Sequence, residues 1–263
     1  MQYLDLTSRK DTVIVCGDIH CEFRTLVFNL EQKHVTDAII IVAGDCGFGF
    51  DRLPYYSQLY RHLHKKLEKL NDLLLMVRGN HDDPVYFSGE VIDFPFMKTL
   101  PDYTIVHTQS HNILCVGGAI SVDRSFRKTM MIKDSSRGKR TTPIYWPKEA
   151  VIYDESELET LEKEKIKINT VITHTAPSFC PPYTNNDLEH WCAGDENLAD
   201  DIRRERRDMD KLYTYLILHN HPLHQWYYGH YHTSDRLLKD DTQFFLLDIM
   251  EMKAITPLLH FSK

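Results

Sequence analysis

Apolar runs and amphipathic segments alternate over the first third of the chain. The apolar runs are short and rich in Val, Ile and Leu, which is typical of strands buried on both faces. The segments between them have helical spacing, and Leu59, Leu63 and Leu67 fall on one stripe of the longer segment. The predicted strands lie within residues 12–20, 38–45 and 73–83, and the predicted helices occupy 22–33 and 55–72. This order predicts parallel strands joined by right-handed crossovers, the start of an α/β fold.

The second half of the chain is richer in β-strands. Predicted strands lie within residues 113–121, 170–177, 225–232 and 243–250. A long amphipathic segment predicts a helix at 198–219. Two other segments, 121–150 and 178–197, are interpreted as loop-like insertions. We find no internal repeat, and we predict a single domain over residues 1–263.

Composition and charge are those of a globular protein. The 263 residues are 42% hydrophobic and 26% charged, so the chain can form a sizeable core. The formal net charge of −7 argues against a general nucleic-acid or membrane-surface binder. The insertion at 121–150 is an exception, because it holds eight Lys or Arg residues against three Asp or Glu residues.

The sequence favours a cytoplasmic location. The first eleven residues, MQYLDLTSRKD, carry charge where a signal peptide has an apolar run. No stretch approaches the roughly 18 apolar residues of a membrane-spanning helix. The six cysteines form no C-x-x-C pair, so we expect reduced thiols. We therefore expect no membrane partner.

Side chains of metal-ligand type follow the predicted strands. Ligands of α/β sheets bind beyond the carboxyl ends of the strands, so these side chains are expected to meet. Most of them come after a glycine, which lets the backbone approach a site closely. The motifs, in chain order, are GDIH (17–20), GD (44–45), GNHD (79–82), TH (173–174) and GHYH (229–232).

The donor types indicate a transition-metal site. Carboxylate, imidazole and amide oxygen donors suit Mn²⁺, Fe or Zn²⁺, whereas a structural zinc site would use thiolates. One carboxylate, such as that of Asp45, can bridge two cations about 3.5–4 Å apart. Any one of these motifs is weak, because a histidine after a strand is more often a hydrogen-bonded core residue. Five of them in order, each at the end of a predicted strand, favour the metal site.

This set of motifs resembles the calcineurin-like metallophosphoesterase superfamily, and the match runs from Asp18 to His232. The stretch GGAISVDRSFR (117–127) is similar to bacterial and phage members. The resemblance implies an α/β fold in which two mixed β-sheets pack as a sandwich flanked by helices, in four αββα layers. It also implies metal-dependent hydrolysis of a phosphoester, in which a hydroxide held between two metal ions attacks phosphorus in line.

The resemblance assigns a role to each matching residue. His81 matches the histidine that stabilises the transition state or protonates the leaving oxygen. Asp45 matches the carboxylate that bridges two ions of Mn, Fe or Zn. The ligands of the first ion would be Asp18, His20 and His232, and those of the second would be Asn80, His174 and His230.

One position departs from the protein-phosphatase branch of the superfamily. In that branch the second motif is G-D-x-x-D-R, and its second Asp orients the catalytic histidine. Phe48 occupies that position here. We expect that one of three nearby carboxylates, Asp51, Asp82 or Asp83, orients His81 instead.

Four arginines are candidates for binding the substrate phosphate. Guanidinium groups bind phosphate bidentately. Arg52, Arg78, Arg124 and Arg127 lie in segments that can face the site, and the alternative for each is a surface salt bridge.

The sequence leaves the substrate open. The first hypothesis is a phosphoester hydrolase acting on a phosphorylated substrate of unknown type, as a monoesterase or a diesterase. The second is a nuclease or nucleotide phosphodiesterase with the same metal pair. The acidic net charge disfavours this hypothesis, although the basic insertion at 121–150 could contact one strand of a nucleic acid. A non-catalytic scaffold is less expected, because every ligand position and His81 are retained. The sequence does not indicate the oligomeric state.

Overall fold

A computed structural model describes residues 1–10, 12–138, 142–183 and 188–256. The strands are β1 (Gln2–Asp5), β2 (Thr12–Cys16), β3 (Ala38–Val42), β4 (Leu73–Met76), β5 (Asp93–Phe94), β6 (Met97–Thr99), β7 (Thr104–His107), β8 (Asn112–Val116), β9 (Thr170–Thr173), β10 (Gln225–Tyr228), β11 (Asp235–Lys239), β12 (Thr242–Leu246) and β13 (Met252–Ala254). The helices are α1 (Phe23–Gln32), α2 (Leu53–Leu70), α3 (Arg124–Ser136), α4 (Glu155–Glu164), α5 (Leu188–Cys192) and α6 (Leu198–Leu218), with a 3₁₀ turn at Pro84–Phe87.

The strands form two mixed sheets. The six-stranded sheet has the order β13-β2-β3-β4-β6-β5, and its central strands β2, β3 and β4 are parallel. This confirms the β-α-β-α-β start predicted from the hydrophobic pattern. The seven-stranded sheet has the order β1-β7-β8-β9-β10-β12-β11, in which β8, β9, β10 and β12 are parallel.

Three apolar clusters show how the layers pack. Along β3, Ile40 and Val42 point towards the apolar faces of α1 and α2. Ile39 and Ile41 point the other way, into a central core that they share with residues of the seven-stranded sheet such as Ile172. A third cluster packs α4 and α6 on the outer face of the seven-stranded sheet. The result is the four-layer αββα sandwich that the resemblance implied.

The long helices follow the predicted apolar stripes. In α2, Leu59, Leu63 and Leu67 are all buried, and each such side chain contributes about 1.5–3 kcal/mol relative to exposure. Pro54 stands in the first turn of α2, and Asn71 ends the helix in a left-handed conformation with φ +56°.

The two segments interpreted as loop insertions contain helices, which corrects that prediction. Helix α3 lies within 121–150 and α5 within 178–197. Neither helix has a buried residue, so neither has the apolar stripe by which a helix is recognised in a sequence. Among the described helices, none is both long enough and apolar enough to span a bilayer.

Candidate metal centre

The predicted ligands converge where strands of the two sheets end. Asp18, Asp45 and Asn80 follow β2, β3 and β4 of the six-stranded sheet. His174 follows β9, and the GHYH motif follows β10 of the seven-stranded sheet. The site therefore lies at the carboxyl ends of parallel strands, as expected for an α/β protein.

Four of these residues form a compact group. The ligand atoms of Asp18, His20, Asp45 and His232 all lie within 4.8 Å of one another. The Nε2 atoms of His20 and His232 are 2.9 Å apart. The Nε2 atom of His232 is 3.2 Å from the Oδ2 atom of Asp18. Two carboxylates and two imidazoles that point at one position fit a divalent transition metal.

A second group of ligand atoms shares Asp45. The Nε2 atom of His174 is 3.1 Å from Asp45 Oδ1 and 2.9 Å from Asn80 Oδ1. The ring of His230 lies beside that of His174, with 4.9 Å between centroids. Because its Nδ1 atom lies 2.8 Å from the backbone oxygen of Ala43, His174 can present the lone pair of Nε2 to a cation.

The electrostatics of the cluster favour positive charge. Burial alone raises the pKa of Asp45, but the neighbouring His174 outweighs burial and holds the pKa well below its ordinary value. The pairing also acts on His174. Burial lowers the pKa of this histidine, but Asp45 and Asp18 outweigh burial and raise the pKa to about 10. Asp45 is thus an ionised carboxylate, and without a metal ion the charge that compensates it is a proton on His174, which a bound cation would replace.

The backbone at the ligands is strained. His20, Asp45, His230 and His232 all have positive φ, between +41° and +73°. Residues with side chains seldom adopt this left-handed region, and such strain concentrates at functional sites. It also ends the strands early. Strand β10 stops at Tyr228, although the apolar pattern predicted a strand over 225–232.

Two glycines are required by close approach. A Cβ atom on Gly79 would lie 2.1 Å from both the backbone nitrogen and the Oδ1 atom of Asp45. Gly44 has φ +106°, and a Cβ there would lie 2.1 Å from the His174 ring. A larger residue at either position would therefore displace a predicted ligand.

The ring of His81 lies at the edge of the cluster. Its Nε2 atom is 4.0 Å from Asp45 Oδ2, and its backbone N–H donates to Asp45 Oδ1 at 2.8 Å. Arg127 lies within 2.6 Å of the same Nε2 atom. A guanidinium group can only donate, so Nε2 accepts and the ring is neutral. Burial lowers the pKa of His81 to about 4, and Arg127 acts in the same direction.

The three carboxylates expected near His81 are used elsewhere. Asp82 is buried and accepts backbone N–H groups from Cys46, Gly47, Phe48 and Gly79 at 2.7–3.1 Å. Asp83 caps the 3₁₀ turn, accepting the N–H of Val85, and Asp51 is exposed. Among the described hydrogen bonds, none joins these carboxylates to the His81 ring. Asp82 instead fixes the loop of Asp45 to the loop of His81.

The pKa of Asp82 shows how strongly this carboxyl group is buried. Burial, together with the nearby Asp45 carboxylate, raises the pKa of Asp82 to about 6. The backbone N–H groups that it accepts act in the opposite direction.

Phe48 belongs to the core. Its side chain is fully buried, and its ring lies 4.8 to 6.1 Å from those of Phe23, Tyr56, Tyr86 and Phe87. An aromatic cluster thus fills the position at which the protein-phosphatase branch has an aspartate.

A model of the calcineurin-like phosphoesterases matches residues 12–236, most of the chain. This chain belongs to that family. Membership indicates metal-dependent hydrolysis of phosphoesters, and the buried group of Asp and His ligands agrees with it. A search of curated proteins found no match.

Three solved structures are similar to this calcineurin-like phosphoesterase at low identity. A phosphopantetheinyl hydrolase from Mycobacterium tuberculosis is 11% identical, with 96% of this chain and 98% of that chain covered and a TM-score of 0.44. A dimetal phosphatase from Danio rerio is 12% identical, with coverages of 92% and 88% and a TM-score of 0.42. A protein serine/threonine phosphatase from Saccharomyces cerevisiae is 16% identical, with coverages of 94% and 70% and a TM-score of 0.34.

The orientation of Asn80 in this phosphoesterase depends on two residues that sequence reasoning missed. The Nδ2 group of Asn80 donates to Ser121 Oγ at 2.9 Å, and Ser121 Oγ donates to Glu149 Oε2 at 2.7 Å. These two hydrogen bonds turn the amide oxygen of Asn80 towards His174, the orientation that a metal ligand requires. Burial raises the pKa of Glu149 to about 7. The sequence did not mark either residue as a partner of Asn80, since Ser121 is not singled out within the stretch GGAISVDRSFR and Glu149 lies near the end of the insertion.

The four candidate arginines have different environments. Arg78 is buried, and its guanidinium donates to Asp102 and to backbone oxygens, including that of Glu149. Arg124 forms ion pairs with Asp195 and Asp201, at 2.7 Å each. Arg52 is exposed at the start of α2.

Only Arg127, of these four, lines the cavity over the ligands. This open cavity has a volume of about 560 Å³. Its polar lining includes Asp45, Asn80, His81, Asp123, Arg127, His230 and His232, and its apolar lining includes Ile120, Pro182, Trp191 and Tyr231.

Proposed function

We propose that this protein hydrolyses a phosphoester with two transition-metal ions of the Mn, Fe or Zn type. The observation that carries the proposal is the group of Asp18, His20, Asp45 and His232, with both carboxylates buried, whose ligand atoms lie within 4.8 Å of one another beside His81. When bound, the ions would activate water and neutralise charge on the phosphoryl oxygens.

The sharing of Asp45 supports the second ion. Its Oδ1 atom is 3.1 Å from His174, which in turn lies 2.9 Å from the amide oxygen of Asn80. The same carboxylate belongs to the first group. In the proposal Asp45 bridges the two ions, and Asn80, His174 and His230 complete the second site.

His81 is proposed to assist the leaving group. Its ring lines the cavity and lies 4.0 Å from the shared carboxylate, so it is next to any phosphoryl group held by the cluster. From this position, once its Nε2 atom carries a proton, it can donate a hydrogen bond to the departing oxygen or to a phosphoryl oxygen.

Little in the site favours nucleic acid over a small phosphoester as the substrate. Two arginines of the basic insertion already have carboxylate partners, since Arg124 pairs with Asp195 and Asp201 and Arg127 pairs with Asp123. The nuclease therefore stays the alternative hypothesis. The cytoplasmic location stays a prediction from the sequence.

The test is hydrolysis by the full chain after reconstitution with Mn²⁺. We expect bound transition metal, and hydrolysis of p-nitrophenyl phosphate that EDTA abolishes and Mn²⁺ restores. Bis-p-nitrophenyl phosphate and single-stranded DNA, assayed in parallel, measure diesterase and nuclease activity. Protein that binds no transition metal and hydrolyses none of the three would contradict the proposal. Faster cleavage of DNA than of either small ester would favour the nuclease.

A further inference from the structure

The guanidinium group of Arg127 is held at the cavity by its own helix. Its Nε group donates to Asp123 Oδ2 at 2.8 Å, and Nη1 lies 3.3 Å from the backbone oxygen of Ile144. Asp123 is four residues earlier, so this pair spans one helical turn at the start of α3. The bond to Asp123 fixes the plane of the guanidinium group and directs Nη2 towards His81.

Helix α3 is itself anchored beside the ligands. Arg124 donates to Asp195 from Nε and Nη2, at 2.7 and 3.1 Å, and Ser125 donates to the same carboxylate at 2.8 Å. These contacts join the first turn of α3 to the segment that precedes α6. Arg127 is three residues after Arg124, so an anchored first turn sets the direction of its side chain.

Arg127 retains hydrogen-bonding capacity that a structural arginine lacks. A guanidinium group has five N–H groups, and the described contacts with Asp123, Ile144 and His81 use three of them. By contrast, Arg78 is surrounded by five oxygen acceptors away from the cavity. The side chain of Arg127 is 12% exposed and lines the cavity.

We infer that Arg127 makes the site selective for phosphomonoesters over phosphodiesters, an inference that rests on the proposed function. A phosphomonoester has three non-esterified oxygens and two negative charges near neutral pH, whereas a diester has two such oxygens and one charge. With two oxygens directed to the ligand cluster, only a monoester has a third for Arg127. A guanidinium–phosphate hydrogen bond is charge-assisted and strong, so it discriminates between the two classes.

The contact of Arg127 with the neutral His81 ring is compatible with this role. In the structure Arg127 Nη2 donates to the uncharged Nε2 atom of His81. A phosphoryl oxygen with a negative charge is a better acceptor than a neutral imidazole nitrogen. Substrate binding would therefore replace that contact.

The experiment compares Arg127→Met and Arg127→Lys with a matched control, Lys128→Met. Lys128 is the next residue of α3 and has the same charge, but its ammonium lies 4.8 Å from the ring centre of Tyr145. Each Mn²⁺-loaded full chain is assayed on p-nitrophenyl phosphate and bis-p-nitrophenyl phosphate. We expect Arg127→Met to lower kcat/KM for the monoester about 10- to 100-fold and to change the diester by less than about threefold. Arg127→Lys should retain part of the monoester activity, and Lys128→Met should leave both activities unchanged.

A binding measurement separates this inference from the proposed function. Calorimetric titration of the same metal-loaded proteins with orthophosphate and with dimethyl phosphate needs no turnover. Arg127→Met should weaken orthophosphate binding about 10-fold or more and leave dimethyl phosphate unaffected. Equal losses for both ligands, or for both substrates, would show that Arg127 merely orders the site and would overturn the inference, as would no loss at all. A wild-type chain that binds metal but hydrolyses neither ester nor single-stranded DNA would count against the proposed function, and the titration would then still decide the inference.

Discussion

Asp18 and Asp45 are two carboxylates with almost no exposure to solvent. Burial of an ionised carboxylate is unfavourable unless hydrogen bonds or cations compensate it. Asp45 has the backbone N–H of His81 and the ring of His174, and Asp18 has the ring of His232 and the backbone N–H of His230. These arrangements would be costly to maintain for stability alone, so they point to a binding site for cations.

Replacing His81 by Ala should separate catalysis from metal binding. The side chain lies at the edge of the ligand group, so His81→Ala should retain its metal. Hydrolysis of p-nitrophenyl phosphate should fall by about 10²–10⁴-fold, the usual contribution of general acid–base assistance. Elemental analysis and steady-state kinetics of the purified variant measure both quantities.

Asp45→Asn is the counterpart of His81→Ala, because it changes a predicted ligand and tests metal binding. Because both ligand groups share this carboxylate, the variant should lose affinity for both ions together. The assigned roles would be wrong if His81→Ala lost its metal, or if Asp45→Asn lost one ion and kept the other.

The ligands were predictable as residues, but the groups around them were not. Asp18, Asp45 and His174 could be found because each follows an apolar run, and strand ends meet at one edge of a sheet. The contact of Arg127 with His81 joins residues 46 apart, and that of Ser121 with Asn80 joins residues 41 apart. Those contacts depend on the path of the insertion, which carries no periodic signal. The arginine was predicted as a candidate, but its partner Asp123 was not.

Helix α6 contains a buried acid that the proposed chemistry does not use. Glu205 is 5% exposed, and its Oε2 atom has no hydrogen-bond partner among the described residues. Burial and the nearby Glu149 raise its pKa to about 8, although Thr175, His174 and Arg206 act in the opposite direction. Glu205 lines the cavity over the ligands, and without bound metal its raised pKa favours the protonated form at neutral pH.

This proton should make stability depend on pH. The ordinary pKa of a glutamate is 4.5, so between about pH 5 and 8 the folded protein holds a proton that the unfolded chain has released. The free energy of unfolding should therefore fall as the pH rises through this window. The Glu205→Gln variant cannot ionise at this position. Between about pH 5 and 8, the free energy of unfolding of the wild type should therefore fall by about 2–4 kcal/mol more than that of the variant. Urea unfolding of both proteins in EDTA at several pH values measures the difference, and parallel curves would exclude the effect.

The predicted elements have a buried face, but a buried face was not enough for prediction, since helix α4 and strand β7 bury residues such as Leu158 and Ile105 and were not predicted. Helices α1, α2 and α6 carry apolar stripes, and each lies within two residues of its predicted ends. Strand β1 has no buried residue, and the short edge strand β5 has only two residues, so neither has an alternation long enough to detect. Strands β3 and β10 end earlier than predicted because Asp45 and His230 leave the extended conformation.

At the scale of the whole molecule, the metal centre joins the two sheets. Asp18, Asp45 and Asn80 come from the six-stranded sheet, and the later histidines come from the seven-stranded sheet. An ion bound by both sets links the layers directly. Its binding free energy therefore contributes to the free energy of unfolding.

Metal removal should lower the melting temperature. An ion present at about 100 times its dissociation constant stabilises the folded state by about 2.7 kcal/mol. In a chain of this size, that corresponds to a shift of roughly 5–10 °C. Calorimetry before and after EDTA treatment, and again after Mn²⁺ is restored, measures it. Asp45→Asn is the control, since its melting temperature should respond weakly to EDTA. A wild type that melts at the same temperature in both states would contradict a stabilising role for the metal.

The buried ring of Phe48 also restricts how this sequence can change. An aspartate at this position would place a carboxylate among Phe23, Tyr56 and Phe87, at a cost of several kcal/mol. The aromatic cluster would have to be rebuilt before such a residue could be tolerated. A single substitution of Phe48 by aspartate should therefore destabilise this protein. The aspartate-bearing motif of the protein-phosphatase branch would require several compensating changes in the aromatic cluster.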